Sequence, residues 1–224
     1  MRILLLGYGR MGRLVESLAG EHGMHVAGIV GRELAARPAA WPDADVAIDF
    51  STADGVLANL EALAARGTCA VVGTTGWQAQ EAAARAIVAA SPIGVVASPN
   101  FAIGVHLFTV LAEHAARLLE PQASFGTWIH ELHHSAKRDA PSGTARHLEA
   151  ALRRGGFTRP IDVASTRAGA IPGTHTIGFD GGGETITLTH AVRDRTPFAR
   201  GALDAARWVH GRQGWFTLSD VVSP

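Results

Sequence analysis

Short apolar runs recur along the first half of the chain, each followed by a stretch with apolar residues at helical spacing. Residues 2–6, 25–30, 46–50, 69–72 and 93–97 carry Val, Ile, Leu and Ala with few charges, the pattern of strands buried on both faces. Between them, 13–19, 51–67 and 77–90 read as helices, so this half predicts a parallel sheet with helical crossovers. Ser51 with Asp54 three residues on predicts a capping box for the second helix, which runs through Leu57, Leu60 and Leu63 to Gly67.

After Phe101 the rhythm changes. Residues 104–120 predict a longer helix with Val105, Phe108, Leu111, Ala112, Ala115 and Leu118 on one stripe, followed by a strand over 126–133 and a helix over 142–154. Three β-favouring runs follow at 161–166, 175–179 and 184–190, with Gly181-Gly182-Gly183 as a hairpin turn. A helix over 198–210 and a short strand over 214–218 return to the first domain. The fold expected is α/β: a parallel-sheet domain over 1–101, completed by 196–224, and an inserted α+β domain over 102–195 on an open mixed sheet, largely antiparallel. The open face of that sheet predicts self-association.

The first strand runs straight into Gly7-Tyr8-Gly9-Arg10-Met11-Gly12, and a helix follows. In that setting G-x-G-x-x-G has a mechanism: glycines make a tight turn and let backbone N–H groups approach a pyrophosphate. The first domain is therefore Rossmann-like and binds a dinucleotide. Past the second strand, where an acid would hold the ribose hydroxyls of NAD, stand Gly31 and Arg32. Arg32 suits a 2′-phosphate, so NADPH is expected, with NADH as the alternative. Gly73, Thr74 and Thr75 after the fourth strand, and Ser98, Pro99, Asn100 and Phe101 after the fifth, fall at the carboxyl edge of a parallel sheet and are expected to line the cofactor site. Asp49, also at a strand end, reads as a loop or cap ligand.

Charge adds mainly exclusions. The net charge of zero leaves no electrostatic footprint for nucleic acid, and no lysine-rich run addresses an anionic membrane. The single cysteine, Cys69, lies in an apolar run and reads as a buried structural thiol. The short apolar start does not make a signal peptide and no run reaches membrane-spanning length, so a cytoplasmic protein is expected.

The stretch from Trp128 to Ala145 concentrates the chemistry. It contains His130, His133 and His134 and the chain's only lysine, Lys137, against nineteen arginines. Arginine stays protonated; a partly desolvated lysine can exchange its proton, so the exception points to chemistry. Pro141 disfavours helix at Ala140, and Ser142 caps the helix that follows, leaving the N–H groups of Gly143 and Thr144 free for a carboxylate or phosphate. With His134 and Lys137 arriving from the loop, the stretch suits a small anion. His130-Glu131-Leu132-His133-His134 also matches H-E-x-x-H, but the zinc pattern needs a helix and this segment reads as strand, so no metal is expected.

The run Glu131-Leu132-His133-His134-Ser135-Ala136-Lys137-Arg138-Asp139-Ala140-Pro141-Ser142-Gly143-Thr144-Ala145 resembles the signature of the 4-hydroxy-tetrahydrodipicolinate reductase (dihydrodipicolinate reductase) family. Gly9-Arg10-Met11-Gly12, Ile48-Asp49-Phe50, Gly73-Thr74-Thr75-Gly76 and the segment from Asn100-Phe101 to Gly104-Val105 are similar to its other motifs. The resemblance implies NAD(P)H-dependent reduction of 4-hydroxy-tetrahydrodipicolinate to tetrahydrodipicolinate, with loss of water, on the diaminopimelate route to lysine. Hydride reaches ring C4 and an acid protonates the neighbouring carbon. It places the acid/base on His133, the proton donor on Lys137, and the substrate carboxylate on His134, Gly143 and Thr144, for a small dianionic cyclic substrate. It also implies a homotetramer through the second domain's sheet. In departure from the family's pattern, the glycine loop is one residue tighter, Gly31 replaces the ribose-binding acid, and Arg200 stands where F-A-N-G-A has asparagine. Two other readings fit parts of this pattern: an NADP-dependent reductase of another small cyclic imine or oxo acid, and a non-catalytic NADP-binding sensor. The sensor has no use for Lys137, and a panel of cyclic imines separates the other reductase.

Overall fold

The computed structural model describes residues 1–222. In chain order it runs β1 (Arg2–Leu6), α1 (Arg10–Ala19), β2 (His25–Val30), α2 (Arg32–Ala35), β3 (Val46–Asp49), α3 (Val56–Ala65), β4 (Cys69–Val72), α4 (Glu81–Ala89) and β5 (Gly94–Ala97). Then come α5 (Ile103–Leu119), β6 (Gly126–His133), α6 (Gly143–Arg154), β7 (Ile161–Arg167), β8 (Thr174–Asp180), β9 (Thr185–Ala191), α7 (Thr196–Val209), β10 (Gly214–Phe216) and α8 (Leu218–Val222). The chain divides into two compact units. One comprises Met1–Ile103 with the segment from Thr196 onward; the other is Gly104–Arg195.

The first unit is a six-stranded sheet in the order β10-β5-β4-β3-β1-β2, with every pairing parallel. Its central strands are apolar at successive positions because both faces are covered. Ile3, Leu5, Val46, Ile48 and Val71 point to one face, against Val15 and Leu18 of α1 and Ala199, Leu203 and Ala206 of α7. Leu4, Leu6, Ala47, Ala70 and Val72 point to the other, against Leu60 and Leu63 of α3 and Val88 of α4. The closing strand β10 pairs with β5, and Cys69 is a buried free thiol.

The capping box expected at Ser51 does not form. A 3-10 turn over Ala53–Gly55 precedes α3, and neither makes a side-chain cap hydrogen bond. Asp49 organises this corner instead: its buried carboxylate accepts from the Ser51 N–H, Asn59 Nδ2 and Thr74 Oγ1, each at 2.8 Å. A short acid at a strand end reaches two loop donors and a helix side chain at once, and that outweighs the local Ser-Asp pairing.

The second unit is a four-stranded sheet in the order β7-β6-β8-β9, mixed because β6 pairs parallel with β7 and antiparallel with β8. Only one face is covered: Ile129, Ile177 and Phe179 pack against Phe108, Ala112 and Ala116 of α5 and Leu148 and Leu152 of α6. The single stripe expected on α5 is therefore corrected. Leu111 and Leu118 are 55% and 62% exposed, together with Leu107 and Val110, because the apolar positions of this helix span more of its circumference than one sheet face can cover.

Candidate active site

In the first unit, the parallel strands bring the loops after β1, β3, β4 and β5 to one edge. The sheet order puts β3 on one side of β1 and β2 on the other, so the chain changes direction between β1 and β3, the point where such sheets form a crevice. Gly7 lies there with φ of +86°, and a Cβ on it would meet the Phe50 carbonyl oxygen at 2.4 Å. A Cβ on Gly12 would lie 2.3 Å from the Gly7 oxygen, so α1 packs down on the turn because residue 12 is glycine. Gly9 differs from both: nothing lies within 4 Å of the position its Cβ would take. Protein packing does not demand glycine there, whereas backbone approach to a phosphate would. Gly9 also caps α1 without a side-chain hydrogen bond, and the first turn carries no acid, so its N–H groups stay open to an anion.

The remaining residues expected at this site divide. Tyr8, Arg10 and Arg32 are exposed, Arg32 opening α2, while Met11 packs on the core. Arg13 lies over the Tyr8 ring. Gly73 takes the first backbone N–H of its loop to the Asp49 carbonyl, Thr74 is buried with its hydroxyl on Asp49, and Thr75 is exposed. Ser98 Oγ donates to the Asn100 carbonyl at 2.7 Å, Asn100 Oδ1 accepts from the Ala102 N–H, and Pro99 is exposed. Phe101 is part of the apolar core, its ring edge-on to Phe50, which leaves only its backbone to meet a ligand.

In the second unit, β6 alternates, with Thr127, Ile129, Glu131 and His133 on the buried face. Glu131 and His133 are 0% and 8% exposed. Glu131 Oε2 meets His133 Nδ1, while its Oε1 accepts from Arg167 Nη2 at 2.6 Å and from the Ser142 N–H at 3.2 Å. These partners come by register: His133 lies opposite Arg167 on β7, and Glu131 opposite His175 on β8. Burial opposes the charge on Glu131, but hydrogen bonds from Arg167, Ser165 and His133 outweigh it and hold the carboxyl at about 2. Burial lowers the pKa of His133; Glu131 pulls it back up, and Lys137 and Arg167 press it down. His175 lies edge-on to His133 at 5.1 Å, shares a hydrogen bond with Ser142 Oγ at 3.1 Å, and is pushed by burial, then by His133, to about 4, so it is neutral near pH 7.

The loop after β6 carries the rest. Ser142 accepts from the Ala145 N–H and caps α6. Lys137 is half-buried, 2.7 Å from the Asp139 carboxylate, and His134 is half-buried beside it, its carbonyl accepting the Lys137 N–H. The free N–H expected at Gly143 is corrected: it donates to Asp139, whose pKa is lowered first by Lys137 and also by this bond. Asp139 thus occupies donors that a bound carboxylate would take, because an acid two residues from Lys137 folds back onto the helix start. Gly143 is exposed and Thr144 half-buried at the same helix start.

Among the described residues, Glu131, His133 and His175 offer metal-ligand atoms within 4.8 Å of one another. The Arg167 guanidinium already compensates Glu131, and His175 Nε2 is engaged by Ser142, so the donor set suits a proton better than a dication. The H-E-x-x-H geometry is absent, because His130 lies on the opposite face of β6 with its Nε2 on Thr166 Oγ1. The sequence points to His133 and Lys137, while Arg167 and His175 reach the site only through the register of β7 and β8 on β6. Glu131 carried a usable signal: on a strand, positions two apart share a face.

The family model for Dihydrodipicolinate reductase, N-terminus, matches residues 1–101, and that for Dihydrodipicolinate reductase, C-terminus, matches residues 104–222. The 4-hydroxy-tetrahydrodipicolinate reductase of Stenotrophomonas maltophilia (strain R551-3) is 43% identical over 240 residues, covering 99% of this chain and 98% of the relative. That of Thiobacillus denitrificans (strain ATCC 25259 / T1) is 37% identical over 265 residues, covering 99% and 98%. Among solved structures, the dipicolinate-bound dihydrodipicolinate reductase from Paenisporosarcina sp. TG-14 matches with a TM-score of 0.80 at 22% identity over 97% of both chains.

Proposed function

The chain belongs to the dihydrodipicolinate reductase family, oxidoreductases of the diaminopimelate route to lysine, and we propose that His133 and Lys137 supply the proton for reduction of 4-hydroxy-tetrahydrodipicolinate. The observation that carries this reading is the buried Glu131–His133 pair within electrostatic reach of the chain's only lysine. Reduction to tetrahydrodipicolinate takes up one hydride and one proton and releases water. A bound nicotinamide cofactor supplies the hydride. Loss of water is proton-neutral, the C–H proton released in the elimination matching the one the hydroxyl leaves with. Lys137, in the adjoining loop, protonates the departing hydroxyl, and His133 gives the one net proton to the carbon next to the one reduced and is recharged from solvent. His134 and the N–H groups of Gly143 and Thr144 hold a substrate carboxylate, with Asp139 moving off Lys137 and Gly143 to admit it.

The open start of α1 and the unobstructed space at Gly9 fit the cofactor's pyrophosphate. We assign NADPH as the preferred form, because Gly31 offers no carboxylate for a ribose hydroxyl and Arg32 offers a cation for a 2′-phosphate. Catalytic efficiency measured with both cofactors checks this, and a strong NADH preference overturns it. We assign a homotetramer to the outer face of the second sheet, where Trp128 lies over Gly178 beside His130, Thr176 and Thr189. Elution at monomer mass in light scattering overturns that.

The central test is turnover in a coupled assay with enzymatically generated substrate. His133→Ala or Lys137→Ala lowers turnover by about 10²–10⁴-fold, with cofactor affinity near wild type. Loss of cofactor affinity in either variant would place the residue elsewhere.

A further inference from the structure

A carboxylate without solvent exposure shares one face of β6 with His133 and the apolar Ile129. An apolar residue there would spare the desolvation of a charge, so the structure alone does not account for Glu131. Its two oxygens have separate duties. Oε1 faces two donors, Arg167 Nη2 and the Ser142 N–H, Oε2 faces His133 Nδ1, and the Ser165 hydroxyl adds a further hydrogen bond to the carboxylate. Since Oε2 can only accept, the neutral imidazole carries its proton on Nδ1. The other nitrogen, Nε2, lies beside Gly173, where an added Cβ would approach it to 3.0 Å.

We infer that Glu131 is a positioning residue for the proton transfer: it fixes the tautomer of His133 so that Nε2, on the side kept clear by Gly173, exchanges the proton with substrate. This rests on the reading of His133 as the acid/base. In the step, the imidazolium Nε2–H bond breaks, its electron pair stays on nitrogen, the proton joins the ring carbon, and Nδ1–H remains on Glu131. Water restores the proton, and no further reactant is needed. Arg167 completes the device by compensating Glu131 and donating from the same Nη2 to the Asp139 carbonyl at 2.6 Å, which ties the loop carrying Lys137 to β7. The charged and titratable groups facing His133 are Glu131 on its own strand, Arg167 on β7, His175 on β8 and Lys137 in the loop.

Glu131→Gln makes the test sharp. The amide oxygen is drawn to the two donors at the Oε1 position, so its NH₂ faces His133 and donates to Nδ1, which moves the imidazole proton to Nε2. Nitrogen-15 NMR of the cofactor-free protein should show the Nδ1–H tautomer in wild type and Nε2–H in the variant. The variant should also turn over at least tenfold more slowly, and the alkaline limb of its kcat/KM profile should move to lower pH, because the imidazolium has lost its counter-charge. Glu131→Asp should recover part of both. On a His133→Asn background, which lacks that limb, Glu131→Gln should shift the remaining pH profile no further. If Glu131→Gln does not fold, the double variant Glu131→Gln/Arg167→Met removes the ion pair together, and its limb should shift likewise. An unchanged tautomer and an unmoved limb in a folded variant overturn the inference. Wild-type turnover in His133→Asn overturns the reading of His133 itself, so the two failures are distinguishable.

Discussion

The two units each lay helices against a sheet but bury different things. The central strands of the first are apolar on both faces, and the buried Asp49 does no more than gather donors from the adjoining loops and from α3. The second covers one sheet face and sets Glu131, His133 and His175 into it, continuous with Ile129 and Ile177. The candidate site in the first rests mainly on glycines and backbone N–H groups in the turns at one edge of its parallel sheet. In the second it is built of side chains from three strands and a loop. A backbone site tolerates change in its surroundings; a buried side-chain cluster makes stability and chemistry depend on the same residues.

The contrast breaks hardest at Glu131. Glu131→Ala leaves Arg167 and His133 facing an empty position and should cost about 3–5 kcal/mol in chemical denaturation, the usual penalty for removing one member of a buried ion pair. A loss under about 1 kcal/mol would mean that water reaches the site freely.

Acid comes next. The His175 pKa is lowered from 6.5 to about 4 in the fold, so the unfolded chain binds the extra proton between these values. Its contribution is complete above pH 6.5 and lost as pH falls towards 4, on the order of 3 kcal/mol. His106, His133, His147 and His190, lowered first by burial, act in the same direction, and all lie in the second unit. Glu131 adds a loss below pH 4.5, towards about 2. Hydrogen exchange at pH 5 against pH 7 should show protection falling in β6 and β8 while β1, β3 and β4 hold; equal loss in both units would remove the distinction.

Gly9→Ala sharpens the other side. With open space around it, the variant should fold within about 0.5 kcal/mol of wild type, yet bind NADPH at least tenfold more weakly by fluorescence titration, about 1.4 kcal/mol. Unchanged affinity would remove the phosphate from this turn. The smallest effect belongs to Leu118→Gln, which should leave the unfolding free energy from chemical denaturation within about 0.5 kcal/mol of wild type, since this leucine faces solvent.

The alternating strands and helices, the glycine turn and the loop from His133 to Thr144 were legible in the residues, because period, turn chemistry and helix capping act over a few neighbours. Where local signals competed, they misled. Ser51 and Asp54 looked like a capping box, but Asp49 took the donors of that corner. Leu111 and Leu118 looked like core, but the sheet covers a different side of α5.

By itself, then, the chain's order determined which segments become strands, where the anion-accepting turn falls, and that an acid, two histidines and a lysine stand within a few positions. Tertiary structure alone decided that Arg167 and His175 flank Glu131 and His133, and that Asp139 reaches back to Lys137 and Gly143. The physical reason is register: a strand's neighbours are set by how the whole sheet buries its apolar face, and a slip of one residue would turn Glu131 and His133 out into water.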